Sequence, residues 1–216
     1  MTMGKTDAVR MVVDCGIVAI MRANSSEQLL GAAEAILAGG VCAIEVTMTT
    51  PGALDVIRQA TTHFGQDVLF GAGTVLDAET ARAAILAGAQ FIVAPSLNFN
   101  TIAICQRYSI PVLPGAYTPT EILAAWEAGA DLVKVFPASV GGPGFIKAIK
   151  APLPHIRMAA VGGVTVENTA DFIRAGVEVV GVGGELVNSR LLEARDFAEI
   201  TRRARSFRQA VQDGRA

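Results

Sequence analysis

Ala38-Gly39-Gly40-Val41-Cys42-Ala43-Ile44-Glu45-Val46-Thr47 reads as the end of a helix, a glycine turn and a strand in immediate succession. Leu29, Ala32, Ala33, Ile36 and Leu37 lead into it at helical spacing, and from Val41 onward the run is short, apolar and β-prone. The same junction recurs. Ala87-Gly88-Ala89, Ala128-Gly129-Ala130 and Ala175-Gly176-Val177 each pass from a helical pattern into an apolar run, with glycine where a helix C-terminus takes a left-handed residue. Counted from Gly39, these glycines lie 41 to 49 residues apart, the room of two strand-helix units, so four junctions imply eight units.

Eight apolar runs are accordingly predicted as strands: Gly16–Met21, Val41–Val46, Val68–Phe70, Phe91–Val93, Val112–Leu113, Leu132–Phe136, Met158–Val161 and Val177–Val182. Helical patterns separate them, and a last one carries Phe197, Ile200, Ala204, Phe207 and Val211 on one face. Simple alternation favours a parallel sheet with helical crossovers. Eight units in 216 residues fit the small end of the (β/α)8 TIM barrel range, so the expected fold is α/β, a single barrel domain over 1–216. An open doubly wound sheet is the rival; no Gly-x-Gly-x-x-Gly follows the first strand to support it.

Composition narrows the partners. With 51% hydrophobic and 18% charged residues and a mean hydropathy of +0.44, the chain has ample apolar surface for a core. Lys and Arg number 18 against 20 Asp and Glu, so no global positive field attracts nucleic acid or an anionic membrane. Cys15, Cys42 and Cys105 are unpatterned and read as reduced structural thiols of a cytoplasmic protein. No apolar run approaches the roughly 18 residues of a membrane span. His63 and His155 read as surface residues, and no metal-ligand spacing is present.

In a barrel of this kind chemistry collects at the C-terminal ends of the strands. Polar residues ending apolar strands are therefore the candidates: Arg22, Glu45 with Thr47, Thr74, Lys134, and the glycine pairs Gly162-Gly163 and Gly183-Gly184. The chain has four lysines, and Lys5, Lys147 and Lys150 lie in ordinary surface contexts. Lys134 instead interrupts Leu-Val-Lys-Val-Phe, on the face of Leu132 and Phe136. Enclosure disfavours an ammonium, and a neutral amine can attack a carbonyl carbon. The competing reading is a structural lysine neutralised by a carboxylate such as Glu45. Glu45 itself shares a face with Val41, Ala43 and Thr47, and serves either as general base or as an ion-pair partner. Arg22 binds an anion or closes the rim. The glycine pairs, after the seventh and eighth strands, stand where barrels often present backbone N–H groups to phosphate.

Several motifs in order resemble the 2-keto-3-deoxy-6-phosphogluconate (KDPG) and 4-hydroxy-2-oxoglutarate (KHG) aldolase family. They are Ile44-Glu45-Val46-Thr47 with Thr50-Pro51, Gly71-Ala72-Gly73-Thr74-Val75, Val93-Ala94-Pro95, Pro114-Gly115, Lys134-Val135-Phe136-Pro137-Ala138 and Gly162-Gly163-Val164. The resemblance spans Gly16 to Val187. It implies a class I aldolase that needs neither metal nor cofactor, with Lys134 as Schiff-base lysine, Glu45 as acid/base and Thr74 on the substrate carboxylate. It also implies Arg22, Pro95 and Phe136 in the pocket, and Gly162, Gly163, Gly183 and Gly184 at a distal phosphate. The implied reaction cleaves KDPG to pyruvate and glyceraldehyde 3-phosphate, and KHG to pyruvate and glyoxylate, in a homotrimer. Thr49 stands where some members carry arginine, Gly184-Glu185 where many have a phosphate-binding serine, and Ala160-Val161-Gly162-Gly163 replaces Pro-Thr-Gly-Gly. The last segment is similar to the branch acting on the 6-phosphogalactonate epimer. A phosphosugar isomerase or epimerase, and a non-catalytic sugar-acid binder, stay open beside the aldolase.

Overall fold

A computed structural model of the chain describes residues 3–22 and 26–216. In these residues nine strand segments run in chain order: β1 (Ile17–Met21), β2 (Ala43–Thr47), β3 (Leu69–Gly73), β4 (Ile92–Val93), β5 (Val112–Leu113), β6 (Gly115–Ala116), β7 (Val133–Val135), β8 (Met158–Val161) and β9 (Val179–Val182). Among the described residues ten helices accompany them: α1 (Lys5–Cys15), α2 (Ser26–Ala38), α3 (Ala53–Phe64), α4 (Ala78–Leu86), α5 (Phe99–Arg107), α6 (Pro119–Glu127), α7 (Gly142–Lys150), α8 (Val166–Arg174), α9 (Ser189–Glu193) and α10 (Phe197–Arg215). The strand order β5-β4-β3-β2-β1-β9-β8-β7-β6 is parallel throughout, and its two ends are consecutive in the chain. The sheet is therefore a (β/α)8 ring and not the open rival.

The ninth segment has a local cause. Pro114 has no N–H to donate and splits the fifth barrel strand into β5, which pairs β4, and β6, which pairs β7. Its carbonyl accepts from the Lys134 amide at 2.9 Å, so hydrogen bonding crosses the split. Other boundaries also move. β3 extends past Phe70 through Gly71-Ala72-Gly73, because larger neighbours occupy the space above the two glycines. The Phe91 ring fills it at Gly71. The last strand begins at Val179 rather than Val177. Val41, expected on the inward face, lies before β2 and packs in the outer layer. Gly88, Gly129 and Gly176 have φ of +103°, +98° and +110°, but in the first junction Gly40, not Gly39, takes the left-handed turn. Gly39 lets α2 approach Ala204 on α10 closely.

Strand alternation divides the core in two. Outward residues such as Ile44, Val46, Val133 and Val135 pack under the helices. Inward Val18, Ala43, Leu69, Phe91, Leu132 and Val179 form a separate cluster with Ala8, Val9 and Val12 of α1. That helix closes the N-terminal end of the ring, leaving the inward positions nearer the strand C-termini to carry polar groups. Among the described residues no helix is long and apolar enough to cross a membrane.

Candidate active site

Lys134 is the central residue of β7 and points into the ring between Gly115 of β6 and Ala159 of β8 in register, small neighbours that leave room for its chain. It is 6% exposed. Its amine neither donates a hydrogen bond nor forms an ion pair among the described residues, and its one ring contact is Phe136, 5.1 Å from Nζ to centroid. No carboxylate lies within ion-pair distance of the amine among the described residues, although its charge acts on the nearby carboxyl of Glu45. Lys5 and Lys150, expected at the surface, are instead partly buried and paired, with Asp131 at 3.1 Å and Glu178 at 2.8 Å respectively.

Glu45 is 3% exposed on β2. Its carboxyl lies over Gly73, the last residue of the neighbouring strand, and a β-carbon there would overlap it. Burial pushes its pKa above the ordinary carboxylate value, while the charges of Lys134 and then Arg22 pull it back down. Next on the same face, buried Thr47 has its hydroxyl 2.9 Å from that of Thr49 and 3.4 Å from that of Thr50. Thr74, directly after β3, sits at φ +57°. A β-branched residue in the left-handed region is strained, and such strain clusters at functional sites.

These residues surround one cavity of about 350 Å³ at the C-terminal end of the ring. Lys134, Glu45, Thr74, Pro95 and Phe136 line it, with Arg22 exposed at its rim. Gly162, Gly163, Gly183 and Gly184 complete the wall. Thr47 lines it as well, so all eleven residues singled out from the sequence meet in one place. Ile20, Val161, Gly181, Val164, Thr165 and Glu185 also line it. Inward parity of their strands could have found the first three; the loop positions had no such signal. A larger recess of about 470 Å³ opens at the opposite end beside Met3, Lys5 and Leu69, without a buried acid and amine in company. His63, facing Glu34 at 3.4 Å, and His155, edge-on to Trp126, are exposed and lie outside the cavity. Cys15 and Cys42, though far apart in sequence, meet away from the cavity: the Cys42 amide donates to Cys15 Sγ at 3.4 Å.

Comparison with known sequences decides the family. The profile described as KDPG and KHG aldolase matches residues 9–203. The chain belongs to the KDPG and KHG aldolase family. As a member of this aldolase family it is a carbon–carbon lyase. It is 36% identical over 197 residues to the 2-dehydro-3-deoxy-6-phosphogalactonate aldolase of Escherichia coli K12, covering 91% of this chain and 96% of that one. The 2-dehydro-3-deoxy-phosphogluconate aldolase of Treponema pallidum is 34% identical, covering 90% and 93%. Among solved aldolases, the KDPG aldolase of Legionella pneumophila superposes with a TM-score of 0.86 at 27% identity, covering 93% and 97%; pyruvate is captured in it as a covalent carbinolamine.

Proposed function

We propose that this aldolase splits a 2-keto-3-deoxy sugar acid into pyruvate and an aldehyde through a Schiff base on Lys134. The observation that carries the reading is the unpartnered amine of Lys134, enclosed in the same cavity as the buried carboxyl of Glu45. The covalent carbinolamine in the Legionella relative supports it.

In the proposed reaction the amine attacks C2 of the keto acid, and the carbinolamine loses water to give an iminium. Glu45, directly or through water, removes the C4 hydroxyl proton. The electrons of the breaking C3–C4 bond flow into the iminium, the aldehyde departs, and an enamine of pyruvate remains. Protonation at C3 and hydrolysis release pyruvate and restore the amine. Thr74 holds the substrate carboxylate, and Phe136 and Pro95 flank the chain. The proposed substrate is 2-keto-3-deoxy-6-phosphogluconate, its phosphate toward Gly162, Gly163, Gly183 and Gly184; the similarity to the E. coli 6-phosphogalactonate enzyme favours its C4 epimer as a second substrate. Assembly as a homotrimer belongs to the same proposal. Leu76, Phe99 and Val140 are 55%, 56% and 71% exposed, and Asn98 Nδ2 donates to the Leu76 carbonyl at 3.2 Å, joining Leu76 to the residue before Phe99.

Borohydride added with pyruvate tests the chemistry. The expected result is a stable mass increase on the peptide containing Lys134, absent in Lys134→Met, which also loses turnover. An isomerase, or a binder that forms no covalent bond, leaves the peptide unmodified.

A further inference from the structure

The carbonyl groups of the two glycine pairs are all engaged by the chain itself. After β8, the Gly162 carbonyl accepts from the Ser139 amide at 3.0 Å and the Gly163 carbonyl from Asn168 Nδ2 at 2.9 Å. After β9, the Gly183 carbonyl accepts from the Leu186 and Val187 amides, both at 2.9 Å, and the Gly184 carbonyl from Asn188 Nδ2 at 3.3 Å. The N–H groups that share a peptide unit with these four carbonyls belong to Gly163, Val164, Gly184 and Glu185. They donate to no group of the described residues, and all four residues line the cavity.

A trans peptide holds its N–H and C=O in one plane, pointing opposite ways. Pinning a carbonyl therefore aims the amide on the other side of the same unit. Successive free amides, here Gly163 with Val164 and Gly184 with Glu185, make the concave donor arrays that receive anion oxygens. Main-chain donors pin one carbonyl in each loop, and an asparagine side chain pins the other.

The two asparagines are placed alike. Asn168 is the third residue of α8, and Asn188 caps α9. Each spends its oxygen on its own helix start: Asn168 Oδ1 accepts from the Thr165 amide at 2.9 Å, and Asn188 Oδ1 from the Leu191 amide at 3.0 Å. Nδ2 is then left for the glycine carbonyl. A carboxylate could make the first bond but not the second.

We infer that Asn168 and Asn188 are positioning residues for the distal phosphate. They hold the Gly163 and Gly184 carbonyls back, so that the amides of Val164 and Glu185 are presented to the phosphate oxygens. Asn168, with the shorter bond, carries the larger share. The inference rests on the phosphorylated substrate proposed above.

Pyruvate release from 2-keto-3-deoxygluconate and from its 6-phosphate tests it, because the two acids differ only in the group that these amides would meet. Native protein is compared with Asn168→Asp, Asn168→Ala and Asn188→Ser. Asn168→Asp and Asn188→Ser keep an oxygen for the helix start and lose the Nδ2 donor, so the comparison survives if Asn168→Ala does not fold. Native protein should favour the 6-phosphate in kcat/KM. Each Asn168 variant should cut that preference by about tenfold and Asn188→Ser by about threefold, through KM rather than kcat. The inhibition constant of inorganic phosphate should rise in parallel. Neutral Asn168→Ala and charged Asn168→Asp should agree at high ionic strength, where the added charge is screened. A merely structural role would instead lower turnover of both acids together. A native preference that stays unmoved in the variants, or no native preference for the 6-phosphate, overturns the assignment and leaves the aldolase standing. Absence of pyruvate from both acids, with no borohydride adduct on Lys134, overturns the aldolase reading and this one with it.

Discussion

The carboxyl of Glu45 occupies the volume that any side chain at Gly73 would need. The two residues belong to adjacent strands, where Glu45 pairs in register with Gly71 and Thr47 with Gly73. Gly73→Ala should therefore push the carboxyl out of position. Overpacking of this kind costs about 1–3 kcal/mol, and a displacement of about 1 Å can lower turnover by about 100-fold. Steady-state kinetics beside a urea titration check both; unchanged kcat would mean that Glu45 takes no part in the slow step.

Glu45 also sets a pH dependence. Its folded pKa is raised above the ordinary 4.5, so between that value and the raised one the native state binds more protons than the unfolded chain. Stability contributed by the protonated form is lost as pH rises through this window, and the cost of the buried charge stands in full above it. Glu45→Gln should be more stable than the native protein at pH 8, the difference shrinking toward zero below pH 4.5. Thermal melts across pH test the direction. In kinetics, the acidic limb of kcat/KM should fall above 4.5, and Glu45→Gln should remove it with a loss of about 10²–10⁴-fold.

Thr74 gives the opposite balance between stability and function. Relief of its left-handed backbone by Thr74→Gly gains about 1–2 kcal/mol, against about 0.5–1 kcal/mol of added unfolded-state entropy. The variant should melt at or slightly above the native temperature. If the hydroxyl holds the substrate carboxylate, KM rises while kcat changes less. A lower melting temperature with native KM would contradict both halves.

The exposed apolar side chains test assembly separately from chemistry. Sedimentation velocity of the native chain should show a species of three copies, and Val140→Asp or Phe99→Asp should shift it to the monomer. Lys134 and its borohydride adduct should be retained in that monomer, because every lining residue described comes from one chain.

The sequence carried most of this fold because its signals were local. Glycine after a helix is a backbone requirement, visible at Gly88, Gly129 and Gly176 without knowledge of the partner elements. A lone lysine in an apolar strand is equally plain, since the cost of enclosing Lys134 does not depend on which helix covers it. What escaped needed contacts between distant residues. The apolar pattern ends at Phe70 because Gly71 and Gly73 lack side chains, whereas Phe91 and Glu45 supply the bulk above them. The split at Pro114 depends on different strands claiming its two sides. Glu185 carried no periodicity, and only the meeting of the loops after β8 and β9 brings it to the cavity.

Helix α1 stoppers the lower end of the ring with Ala8, Val9 and Val12, so Lys134 lies in a blind shaft. On the proposed chemistry, pyruvate stays tethered at the base while the freed aldehyde must back out past Arg22 and Glu185. The departure order is then imposed by architecture. Lingering aldehyde would recapture the enamine, and the direction of net flux would follow how fast the surrounding solution carries that fragment away.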